Sequence, residues 1–224
     1  MFFEIPKIGA SMQDALADPA AIACLQILRG YWEGLRKDGA LPQREHVSPN
    51  GLGGALENAF IVERIAPGMG RFRVAGSAVG DVLGIEPRNM PLTMLLEPVG
   101  RASLTRVLDE VFTTATALDL SLEAERMIGR PHLSARMILL PLRGAQGEYH
   151  QAIGALALSG TIGRTPRRFG ITRLRSEALD AAAGFIPAQP LNLATRLREM
   201  AGKAPQDNPR AHLRLVHSRD ERAV

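Results

Sequence analysis

The sequence predicts an α+β fold in which helices pack across one face of an antiparallel β-sheet, and three observations carry that reading. Asn58–Ile65 is a strand-like run that stops at Pro67-Gly68-Met69-Gly70, and Arg71–Gly76 then alternates polar and apolar residues, as a hairpin does. From Ser77 to Gly84 the period becomes helical, and helical spacing returns up to Phe112. Beyond it lie three more strand-like runs joined by short turns, the pattern of a meander. The element order is therefore two strands, a set of helices, then three strands.

Size and composition fit one domain of ~150 residues with appendages. Of the 224 residues 46% are hydrophobic, enough for a globular core and too many for wholesale disorder. Seven Phe, two Tyr and one Trp make the core mainly aliphatic. Cys24 is the one cysteine, which excludes an intramolecular disulfide and a cysteine-based zinc site and fits a reducing, cytoplasmic setting. It sits among Ile22, Ala23 and Leu25, where a packing role is expected. No apolar run approaches the ~20 residues of a membrane span, and Met1–Lys7 lacks the basic-then-apolar order of a secretory signal. The basic balance is local: residues 160–224 hold 12 Lys/Arg against six Asp/Glu, and residues 1–159 hold 15 against 17.

Residues 1–17 show no periodicity and are expected to form an arm. Asp18-Pro19 is a helix start, with an N-cap followed by proline at the first helical position. Ile22, Leu25, Leu28, Trp32 and Leu35 form one stripe on a helix expected over Pro19–Asp38, stopped by Gly39. That stripe must pack on a domain face or on a second copy, so Leu25, Leu28, Trp32 and Leu35 are the candidate partner or dimer contacts. Leu41–Arg44 is a connector, and Ser48-Pro49 opens a short helix through Leu56. Pro91–Glu97 is a helical turn. From Pro98 a longer helix carries Leu104, Val107, Leu108, Val111 and Phe112 on one face.

Strands are expected at Ala117–Ile128, His132–Leu142 and Tyr149–Ser159, with turns at Gly129–Pro131 and Arg143–Gly147. Past Thr161 the pattern weakens: Arg164–Arg168 is a charged loop, Leu191–Met200 a short helix, and Pro205–Val224 a polar tail expected to be mobile without a partner. The expected organisation is an arm over 1–17, a domain over 18–160 and a basic, partly disordered extension over 161–224.

Several short segments recur together in a known order. They are Tyr31–Arg36, Leu41–Arg44, Ser48-Pro49, Arg71–Ser77, Gly84, Pro91-Leu92, Leu139–Leu142 and Ile153–Leu156. In their joint order and spacing, over roughly Ala20–Gly160, the chain resembles a bacterial family of single-domain PAS-like proteins long catalogued as a domain of unknown function. The resemblance implies a five-stranded antiparallel sheet, strand order 2-1-5-4-3, with helices across one face. It implies no catalytic residues.

Candidate sites follow from the sheet–helix geometry. Phe72, Val74, Met94, Leu95, Val111, Phe112, Met127, Met137 and Leu139 are expected to bound the apolar space between sheet and helices, as a ligand pocket or a filled core. Arg71 and Arg73 flank Phe72 on the open face, with Arg64 on the neighbouring strand, a candidate anion or partner surface.

Motifs for other chemistry are missing. Gly51–Gly54 and Gly68–Gly70 lack the spacing of a pyrophosphate loop, and Gly76–Gly80 lacks that of a nucleophile elbow. No two histidines are four apart, so no zinc-protease helix is expected. His132 and His150 each stand near the start of a strand and are expected to be neighbours if those strands pair, or else to be partly exposed sheet residues; His132 is the least poor candidate for a haem ligand. Cys24 precedes the sheet, whereas a flavin photosensor of this fold would need its cysteine on the helix after the hairpin. Glu123 and Glu125 share a strand face and read as solvated edge charges.

The expected function is a non-catalytic sensory or regulatory domain without a cofactor. It would bind a small apolar ligand or dock to a signalling partner, as a homodimer or with another protein. An enzyme with a hydrophobic pocket on a related scaffold is the alternative. Specific nucleic-acid recognition is not expected, because the basic tail lacks aromatic interleaving and a reading motif.

Overall fold

A computed structural model describes residues 19–144 and 148–179 of the chain, all within one compact unit. The expected arm over 1–17, the helix at Leu191–Met200 and the tail from Pro205 lie outside the described residues. In chain order the elements are α1 (Pro19–Gly34), α2 (Pro49–Leu52), the hairpin β1 (Ala59–Ala66) and β2 (Met69–Ala75), and α3 (Ser77–Leu83). A 3-10 turn (Leu92–Leu95), α4 (Pro98–Thr113), β3 (Thr116–Ala124), β4 (Leu133–Leu142), β5 (Gln151–Gly160) and β6 (Phe169–Ala178) follow.

Two helices are shorter than their periodicity suggests. α1 stops at Gly34 because Asp38 and Gly39 take positive φ values of 50° and 78° and close a tight turn, with the Ala40 N–H donating to the Lys37 carbonyl. The helix opened by Ser48-Pro49 ends at Leu52, where Gly53 has φ 47°, and continues only as a 3-10 turn over Gly53–Ala55.

The sheet has six strands, not five, in the order β2-β1-β5-β4-β3-β6, and every pairing is antiparallel. The order 2-1-5-4-3 is thus kept and extended: β6 lies along β3 from Thr116↔Ala178 to Ala124↔Phe169. The sheet therefore continues past residue 160 into a segment whose sequence reads as an extension. β3 ends at Ala124 rather than Ile128, because Met127 and Arg130 pair to form a tight turn. With β6 on its flank, β3 is not an edge.

Both faces of the sheet are covered over its centre. On one face Phe60, Val62, Phe72, Leu118, Leu120, Met137 and Leu156 pack against α3, the 3-10 turn and α4 through Val79, Leu92, Leu95, Leu104, Leu108 and Phe112. On the other face Ala59, Ile61, Ile138, Leu140, Ile153, Ala155 and Ala157 receive Cys24, Leu25, Leu28 and Trp32 of α1. Leu28 and Trp32 are fully buried, Leu25 nearly so, and Leu35 packs partly buried at the margin. The Trp32 Nε1–H donates to the Pro141 carbonyl at 2.9 Å, so the indole buries without an orphaned donor. The guanidinium groups of Arg29 and Arg36 lie 5.8 and 5.3 Å from its ring.

Each large apolar side chain buried in that seam contributes roughly 1.5–3 kcal/mol relative to exposure, and a lone helix of this length is marginal in water. Leu28→Asp is therefore expected to destabilise the fold by at least ~3 kcal/mol in chemical denaturation. Lys37→Asp, on an exposed turn, should change stability by less than ~0.5 kcal/mol. A chain ended at residue 160 loses β6 and bares the β3 edge, and it should aggregate in light scattering at concentrations where the full chain is clear.

Candidate functional site

The side chains expected to bound a pocket do not all meet. Phe72, Leu95, Val111, Phe112, Met137 and Leu139 do, each no more than 1% exposed and all in one cluster between the sheet and the helices. Met94 packs at its margin, partly buried. Inside the cluster the rings of Phe60 and Phe72 meet edge to face with centroids 5.4 Å apart. Gly154 lies beneath, and a Cβ there would sit 2.5 Å from the Phe60 ring and from the Ile138 carbonyl oxygen. The interior is thus close-packed at this point.

Val74 and Met127 are corrections. Val74 is 57% exposed because the β1–β2 register slips: Val62 faces Phe72 while Ile61 faces Val74, leaving Arg73 as an extra residue on β2. A one-residue bulge moves the next side chain to the opposite face. Met127, also 57% exposed, lies beyond the end of β3 in the turn to β4.

The three arginines do not share a surface either. Glu63, not Arg64, is the β1 residue opposite Arg71. Arg71 holds the Glu63 carboxylate through Nε and Nη2 at 3.0 and 2.8 Å, and the Arg73 Nε is 3.8 Å from the same oxygen. Arg64 points the other way, is 4% exposed, and donates from Nε to Asp109 Oδ1 at 2.9 Å. The same oxygen accepts the Gly68 N–H at 3.1 Å. Gly68 has φ 67°, and a Cβ there would fall 2.6 Å from the Thr105 carbonyl oxygen. Asp109 on α4 therefore fastens the hairpin turn to the helix, and the close approach requires glycine.

Two of the surface concavities are lined by described residues. The larger, of about 680 Å³, lies where the start of α4, the end of β3 and the loop before β6 converge, and it is lined by Glu97, Glu123, Glu125, Arg130, Arg167 and Arg168 among others. Arg167 is 1% exposed, and its guanidinium donates to the carbonyls of Ile162, Glu125 (3.0 Å) and Pro131 (2.9 Å). Burial, and then the charge of Arg130, push its pKa below the usual arginine value. In the sequence this residue is one of several charges in a loop, and only the carbonyls that converge on it identify it as a clamp between loops. The smaller concavity, about 500 Å³, follows α3 from Ala75 to Pro87.

The remaining polar candidates are dispersed. His132 is 3.7 Å from Glu123 and His150 is 3.8 Å from Glu148. The two histidines are not neighbours: β4 and β5 run antiparallel, with Leu133 opposite Gly160 and Leu142 opposite Gln151, so the strand starts lie at opposite ends of the ladder. Glu125 lies past the last residue of β3 and does not share that strand with Glu123. Burial raises the Cys24 pKa, which holds the thiol protonated. Among the described residues no three His, Cys, Asp or Glu side chains gather to hold a metal, and no helix is long and apolar enough to cross a membrane.

The sheet order, the hairpin–helices–meander sequence and the helix-covered face agree with one family. The sequence model of the PAS domain family matches residues 21–157. The chain belongs to the PAS domain family. No curated protein and no solved structure matches it. The matched span ends before β6, so the sixth strand is an addition to the part of this PAS domain that the family model describes.

Arg64 should behave as part of the interior and its two former companions as surface. Arg64→Ala leaves Asp109 without its cation and is expected to lower stability by about 2–4 kcal/mol. Arg71→Ala and Arg73→Ala should each cost less than ~1 kcal/mol. Urea denaturation of the three variants, compared with the unaltered chain, checks this.

Proposed function

We propose that this PAS domain is a non-catalytic regulatory module that works by docking to a signalling partner rather than by enclosing a small apolar ligand. PAS domains are in general sensory and regulatory, which gives the class. The observation that favours docking is the state of the interior. Six of the nine side chains expected to bound a pocket are fully buried against one another, and a glycine is needed to let Phe60 lie on β5. An interior packed to this degree has little room for a guest without displacement of side chains.

The enzyme reading would need a general acid or base held in a large closed pocket. The larger concavity is instead open and lined by carboxylates and guanidinium groups, and its most buried member, Arg167, is bound to backbone carbonyls. Such an arrangement supports a role for Arg167 in fixing loops.

Native mass spectrometry of freshly purified protein tests the reading. The expected mass is a whole multiple of the polypeptide mass with no added small molecule. An apolar compound retained at near one equivalent per chain would overturn docking in favour of ligand sensing.

A further inference from the structure

We propose that two copies of this chain join edge to edge through β6, with Ser176 on the two-fold axis, so that the sheets of both subunits become continuous. The argument starts from the direction of the backbone groups. The Leu179 N–H donates to the Ala115 carbonyl at 3.1 Å, continuing the register Ala117↔Glu177, Asp119↔Arg175 and Ser121↔Arg173. Bonding pairs alternate along an antiparallel ladder. Residues 177, 175 and 173 therefore turn their N–H and C=O groups toward β3, and Leu174, Ser176 and Ala178 turn theirs away. Among the described residues no backbone partner meets that outward side over 171–178. Its one covered point is the start, where the Phe169 carbonyl accepts the Glu97 N–H. The strand is ten residues long and mostly exposed, which makes it a template for another strand.

The charges on β6 choose both the occupant and the register. Arg173, Arg175 and Glu177 lie opposite Ser121, Asp119 and Ala117, on the α1 face, where Glu177 already holds Arg29 at 3.1 Å. For two antiparallel copies, an axis at Leu174 would set Arg173 against Arg175. An axis at Arg175 would set that residue against itself, and one at Glu177 would oppose two carboxylates. With the axis at Ser176, Arg175 faces Glu177 of the partner subunit, twice by symmetry, and no like charges are opposed. The same axis makes 174 with 178, 176 with 176, and 178 with 174 the hydrogen-bonded pairs, which are the residues whose backbone groups point outward. Hydrogen-bond parity admits every axis from 174 to 177, and charge selects Ser176 among them, with a second copy of this chain as the partner. The pairing is independent of whether the interior takes a ligand.

The test is the mass of the full chain in solution by sizing with light scattering. The unaltered protein is expected at twice the chain mass. Ser176→Pro removes an outward N–H that β3 does not use, so it should give a monomer with an unchanged circular dichroism spectrum. Arg175→Glu and Glu177→Arg should each weaken dimerisation roughly tenfold or more, because each sets like charges opposite. Mixed in equal amounts, those two variants have opposite charges facing at both positions and should recover a heterodimer. If Ser176→Pro fails to fold, the mixed pair decides. A monomeric unaltered chain, a dimeric Ser176→Pro, or a mixture that stays monomeric overturns the proposal. Each would mean that this edge is covered by the chain's own residues or by another partner.

Discussion

The rest of the structure depends on keeping both faces of the β4–β5 pair dry. Nine of the ten residues of β4 are buried, Arg136 being half-buried, and β5 is buried from Ala152 to Ala157. A strand covered on one side only alternates apolar with polar residues, whereas these two read as nearly continuous apolar runs, so each needs a layer above and a layer below. α3 and α4 supply one layer. α1 supplies the other, and it lies where the outward side chains of β1, β5 and β4 are Ile61, Ile138, Leu140 and Ile153. The small residues Ala155 and Ala157 leave room beneath Leu28 and Trp32. Farther along the sheet the outward residues turn polar, at Asp119, Ser121 and Arg136, and there the helix layer is no longer needed.

What the sequence makes legible follows the intact periods, and what it hides follows the broken ones. α4 keeps one helical period and one hydrophobic face, and β4 and β5 are nearly continuous apolar runs between turns, so their existence and order can be read directly. Val74 escapes the alternation because Arg73 is an extra residue, and an alternation counted through a bulge assigns every later side chain to the wrong face. β6 is hidden for the same reason. Ile171 faces Leu122 and Leu174 faces Leu120, so two residues three apart share a face across a register shift. Apolar spacing of that kind does not resemble a strand, and the arginines around it give the segment the composition of a tail.

The candidate site is less legible than the fold. Phe, Leu, Val and Met have the same spacing whether they fill a core or line a pocket, and the difference lies in contacts between distant segments, such as Phe60 over Gly154. Arg64 illustrates the complementary difficulty. Its place beside Glu63 suggests a surface charge, but its burial depends on Asp109, 45 residues later on α4. Only the tertiary fold brings those two together with Gly68. Arg167 likewise acquires its role from two carbonyls of the β3–β4 turn and one of its own loop.

The division of the outer sheet face constrains how docking would work. Its apolar half lies under α1, so a partner that uses this face without displacing the helix meets the polar half, around β3 and β6. There Arg136 binds Asp119, and the hydrogen bonds between them raise the arginine's pKa, so that ion pair is already matched internally. Arg29 and Glu177 are matched in the same way. A partner would therefore gain little from these charges unless it offered complementary ones in register. Such contacts set specificity and association rate more than affinity, and they weaken as salt rises. A docking surface on this part of the domain is thus expected to be selective and salt-sensitive, whereas one beneath α1 would be apolar and would require the helix to leave.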